Sequence, residues 1–159
     1  MGAIMKRSTF ILLLVCTLAQ AQPYHKPPGF IERIPEPVKV ISLFTASIVL
    51  DAVGDGLYDS GDKSLGHALQ AASTGLLVLS PLFLDMDKDN WWWYVMSYVS
   101  LRIGLFDYSY NITRDLPLGY IGNTSTWDRA IKQVAPPGNQ LFVRGIFFTL
   151  GVVIPINEL

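Results

Sequence analysis

Four apolar stretches divide the chain, at residues 38–57, 64–84, 91–111 and 140–156. Each is close to the roughly 20 residues that a helix needs to cross a bilayer. None shows sustained alternation with a period of two, so barrel or sandwich strands are not expected. The pattern predicts an all-α protein, a small helical membrane bundle of about four transmembrane helices.

The breaks between the stretches carry turn chemistry. Residues 54–61, GDGLYDSG, hold three glycines and two aspartates and predict a turn. Asp62 or Ser64 can then cap the next helix. Residues 85–90, DMDKDN, place Asp85, Asp87 and Asp89 in alternation, as at the start of a calcium loop. Asn90 stands where such a loop needs glycine and Met96 where it needs glutamate, so a solvated turn is expected. Trp91, Trp92, Trp93 and Tyr94 follow at once. Aromatic side chains with one polar end favour the membrane–water interface, which marks this helix start as an interfacial belt. Pro155 is expected to close the last span.

Outside the spans the chain is polar or proline-rich. The first 21 residues have the form of a signal peptide: Lys6 and Arg7, an apolar run from Phe10 to Leu18, then Ala19-Gln20-Ala21. An uncleaved signal anchor is the alternative. Residues 22–37 contain five prolines, at 23, 27, 28, 35 and 37, and predict an extended exported linker ahead of a helical membrane domain at 38–159. In the long loop 112–139, residues 124–134 can form a short helix with Trp127 and Ile131 on one face, suited to lying on the interface. Asn111-Ile112-Thr113 and Asn123-Thr124-Ser125 match the N-glycosylation pattern.

Composition agrees with lipid as a partner. Only 16% of the 159 residues are charged, against about 25% in an ordinary soluble domain, and the mean hydropathy is +0.34. The net charge of −1 supplies no basic excess for a nucleic-acid partner. The single cysteine, Cys16, lies in the leader, so a mature chain would have neither disulfides nor thiolate metal sites.

The polar residues inside the spans are the candidate chemistry. If the four spans alternate in direction, Asp51 and Asp55 end the first, and His67 and Gln70 begin the second. Asp107 and Asn111 end the third, and Arg144 lies one turn into the fourth. All would then lie near one membrane face. Helical spacing puts Ser47, Asp51 and Asp55 on one stripe, and His67, Gln70 and Thr74 on another. On the third span Ser97, Ser100, Gly104, Asp107 and Asn111 fall within roughly 80°, a small and polar face suited to close helix contact. Arg102 points about 140° away from Asp107, so it must find another helix or reach an interface.

Carboxylates and a histidine at one depth suit general acid–base work, with His67, Asp107 and Asn111 as catalytic candidates. They also suit a divalent metal cofactor, with Asp51, Asp55, His67 and Asp107 as its candidate ligands. Gln70, Arg144 and Arg102 complete the cluster. The other reading is that these residues only join helices. No nucleophile motif, phosphate loop or metal signature accompanies them. The expectation is therefore a non-enzymatic membrane scaffold with a protein partner or a second copy of itself. A membrane-embedded enzyme or transporter is the alternative. The expected setting is a bacterial inner membrane, with the mature N-terminus on the exported side. Extraction of membranes with alkaline carbonate should leave the protein in the pellet; release into the supernatant would exclude integral membrane insertion.

Overall fold

The computed structural model describes residues 33–122, 129, 132–133 and 138–159. The signal peptide and most of the proline-rich linker lie outside the described residues, as does most of the expected interfacial helix. The described elements are all helical: α1 (Glu36–Ser60), α2 (Lys63–Leu79), α3 (Trp91–Thr113) and α4 (Gln140–Glu158), with a 3-10 turn at Ser80–Leu82. α1 packs between α2 and α3, and α3 packs between α1 and α4. α1 also touches α4 directly, though over less of its length.

The helix boundaries follow local chemistry, in places against expectation. Pro37 sits in the first turn of α1, where its missing N–H costs no hydrogen bond, so the helix begins before residue 38. The turn expected at 54–61 is not formed. α1 continues to Ser60, and only Gly61 turns left-handed, at φ 105°. Gly54 and Gly56 serve packing instead. A Cβ on Gly54 would stand 2.9 Å from the Gly66 carbonyl oxygen, and one on Gly66 would stand 2.7 Å from that of Gly54. Those two positions let α1 and α2 touch backbone to backbone. Asp62 caps α2 by accepting from the Leu65 N–H at 3.2 Å. α2 ends at Leu79, five residues short of the expected limit, where Pro81 enters the 3-10 turn.

Pro155 does not close α4; the helix runs through it to Glu158. A proline deprives the carbonyl four residues earlier of its donor, here that of Gly151. Ser97 Oγ of α3 donates to that oxygen at 2.8 Å. A neighbouring hydroxyl thus replaces the lost N–H, and the helix continues through its proline. The same seam holds Gly104, whose Cβ would stand 2.7 Å from the Phe148 nitrogen. Between α1 and α2, Ser47 and Ser73 meet hydroxyl to hydroxyl at 3.0 Å.

The two helices at the ends of the packing order, α2 and α4, bury small or polar residues. The buried residues of α4 are Arg144, Gly151 and Pro155, and those of α2 are Gly66 and Ser73. Phe142, Ile146, Leu150, Val153 and Ile156 of α4 face outward. A compact apolar core of Val40, Phe44, Ile48, Leu84, Tyr94 and Leu101 holds the Trp91 end together. α1 and α4 are each long and apolar enough to cross a membrane.

Ser97→Ala should destabilise the protein by about 1–2 kcal/mol, because it leaves a buried carbonyl unpaired. In a Pro155→Ala background the restored N–H bonds to Gly151, and the same substitution should cost markedly less. A double-mutant cycle by denaturation in micelles reads the coupling.

Candidate functional site

α3 carries its two charges on opposite faces, and each meets a different neighbour. Arg102 Nη1 pairs with Asp51 Oδ2 of α1 at 2.8 Å. It also donates to the Tyr98 hydroxyl at 3.4 Å and lies over the Phe106 ring, 4.5 Å from its centroid. Asp107 looks the other way and pairs with Arg144 Nη2 of α4 at 2.6 Å. The expectation that Arg102 must leave Asp107 for another helix therefore resolves onto Asp51.

Arg144 has no exposed surface. Besides Asp107 it donates to the backbone oxygens of Leu118 at 2.9 Å and Tyr120 at 3.2 Å. The Tyr108 ring lies 5.5 Å from the guanidinium carbon. Asn111 is almost fully buried, and its Nδ2 donates to the same two oxygens, at 3.2 Å and 2.9 Å. The segment after α3 is thus held by its backbone against two side chains from two helices. Among the described residues, Asn111 Oδ1 and Arg144 Nε have no hydrogen-bond partner, and Asp107 compensates the Arg144 charge. With its amide enclosed, Asn111 is closed to glycosylation in this fold; the second pattern, at Asn123, lies outside the described residues.

Asp51, Asp55 and Asp59 form a four-residue ladder along α1, rising about 6 Å per step. Each rung has its own partner. Asp51 takes Arg102, and Asp55 accepts from Gln70 Nε2 of α2. Asp59 accepts from the Tyr110 hydroxyl at 2.6 Å and pairs with Arg114 at 3.4 Å. His67 joins neither group. It is exposed and packs edge-on against Tyr58 at 5.0 Å, and Lys63 lies over the same ring.

No family model, curated protein or solved structure matches this chain.

The residues expected to share one site are therefore divided into three settings: Asp51, Asp55, Gln70 and Arg102; Asp107, Asn111 and Arg144; and His67. The divider is α3, which stands between α1 and α4. Among the described residues, no three His, Cys, Asp or Glu side chains converge to hold a metal ion. As placed, the candidate metal ligands Asp51, Asp55, His67 and Asp107 do not form a ligand set.

One polar centre has no counterpart in the sequence reading. Glu36, in the first turn of α1, accepts from Lys39 Nζ at 2.8 Å, the Tyr94 hydroxyl at 2.9 Å and the Asp85 N–H at 2.6 Å. It ties α1 to the start of α3 at the tryptophan end. Its position among prolines made it read as linker. A glutamate just after a proline, opening an apolar run, is the helix-start signal that could have found it. The neighbouring DMDKDN turn closes on itself. Asp87 Oδ1 accepts from the N–H groups of Asp89 and Asn90, each at 2.8 Å.

Removing one member of a buried ion pair strands the other, at a cost of about 3–5 kcal/mol. Arg144→Leu and Asp107→Leu should each destabilise the bundle on that scale. The double variant should lose clearly less than the sum, because no uncompensated charge remains. Unfolding by denaturant in detergent micelles measures all three.

Proposed function

We propose that this chain is a four-span integral membrane protein of a bacterial inner membrane, acting as a non-enzymatic scaffold that binds a protein partner. Its mature N-terminus would lie on the exported side. The outward apolar face of α4 supports the membrane setting. So do the inward serines and glycines and the exposed Trp91 and Trp92 at one end of α3. With its 3-10 turn, α2 covers about 20 residues, enough to complete a crossing alongside α1, α3 and α4.

The observation that carries the scaffold reading is the engagement of Arg144. Its guanidinium binds one carboxylate and two backbone oxygens. Arg102 is likewise engaged by Asp51 and Tyr98. Charges placed this way join helices to one another. A catalytic or transport site would instead turn them toward a substrate path.

Two measurements test the proposal. Isolated from native membranes in mild detergent, the protein should carry a stoichiometric partner; a lone monomer that co-isolates with nothing would remove the binding role. Asp107→Asn should lower accumulation of the protein, as expected for a joining residue. Normal accumulation of that variant together with the same growth defect as a deletion strain would favour the membrane-embedded enzyme or transporter instead.

A further inference from the structure

The segment that leaves α3 turns the Leu118 and Tyr120 carbonyls inward and the side chains of those two residues outward. Asp115, at φ 50°, ends the helix left-handed, and the Leu116 N–H returns to the Asn111 carbonyl at 2.8 Å. This is a Schellman-type stop with aspartate where glycine is commoner. The next carbonyls, of Leu118 and Tyr120, point to Arg144 and Asn111. The Leu118 and Tyr120 side chains are 46% and 43% exposed. Ile121 packs on Val143, and Gly119 lies against Gln140. Residues 116–122 therefore form a strap laid along the first turn of α4.

The strap continues an apolar collar. Ile112 at the end of α3 is 65% exposed, and Phe142 in the first turn of α4 is 72% exposed. Both stand at the strap end of the bundle. Trp91 and Trp92 stand at the other end of α3, a helix of 23 residues. At 1.5 Å per residue such a helix is about 34 Å long, close to the ~30 Å hydrocarbon core plus the start of each interface. Strap and tryptophans thus sit where two opposite interfaces belong.

Backbone running outside a helix at that depth needs its carbonyls satisfied from within the protein. Arg144 and Asn111 do this for Leu118 and Tyr120. A leucine beside a tyrosine, one apolar and one with a polar tip, suits the boundary between headgroups and acyl chains.

We propose that the strap 116–122 is an interfacial anchor. Leu118 and Tyr120 insert into the lipid boundary, and Arg144 and Asn111 act as positioning residues that hold the strap at that depth. The inference rests on the four-span reading and adds a lipid contact surface to it.

Nitroxide labelling of the full chain tests it. Cys16→Ser removes the native thiol, and Leu118→Cys and Leu150→Cys provide single attachment points. The protein is reconstituted into phosphatidylcholine–phosphatidylglycerol vesicles, and label depth is read from collision with oxygen and with a water-soluble nickel chelate. The label at 150, outward-facing in mid-α4, should lie deep, and the label at 118 should lie at headgroup depth. A deep 150 with 118 freely reached by nickel overturns the anchor and leaves the spans standing. A 118 label shielded from both reagents places protein on the strap and also overturns it. A 150 label in water overturns the four-span reading itself. Arg144→Gln, or the milder Asn111→Leu, should move the 118 label towards water and narrow its spectrum while 150 stays deep. No movement of 118 in either variant would remove their positioning role.

Discussion

A guanidinium with no exposed surface has to place its donors inside the protein, and Arg144 places them on three acceptors in two parts of the chain. One goes to Asp107 of α3 and the others to the carbonyls of Leu118 and Tyr120. Because Arg144 itself belongs to α4, a single side chain fixes the register of α3 against α4 and the path of the segment between them. Neutralising the charge at close range is what makes its burial tolerable, and a missing partner would leave several kcal/mol uncompensated. Asn111 repeats the arrangement from the other helix by donating to the same two oxygens.

The rest of the bundle is built on close approach. Gly54 meets Gly66, Gly104 meets Phe148, and Gly151 meets Leu101, each at distances that leave no room for a Cβ. Where lipid surrounds a protein, apolar burial between helices gains little, and association depends on van der Waals contact and interhelical hydrogen bonds. Short side chains serve the first and the serines at 47, 73 and 97 serve the second. Pro155 ties both together: it frees the Gly151 carbonyl, and only a helix as close as α3 brings a hydroxyl to it.

Much of this was legible along the chain. The four helices fall where the apolar stretches fall, and of the expected face Ser97, Ser100, Gly104 and Asn111 are buried while Asp107 is half-buried. The angular separation of Arg102 and Asp107 correctly required two different partners. Errors came where one residue type has two uses. Glycines at 54 and 56 read as a turn, because a glycine that breaks a helix and one that admits a neighbouring helix look alike locally. Pro155 read as a stop, because the hydroxyl that accommodates it comes from residue 97. Glu36 read as linker, because its partners lie 49 and 58 residues away.

Sequence by itself determined the four helical stretches and the identity and spacing of the polar residues inside them. Periodicity and capping act over a few residues, so they can be read locally. Only the tertiary structure decided which polar residues meet. Depth along a helix is visible in sequence, but the azimuth of one helix about another is not. Asp51, Asp107 and His67 were expected at one depth, and α3 inserted between α1 and α4 sends the first two to different arginines and leaves the third at the surface.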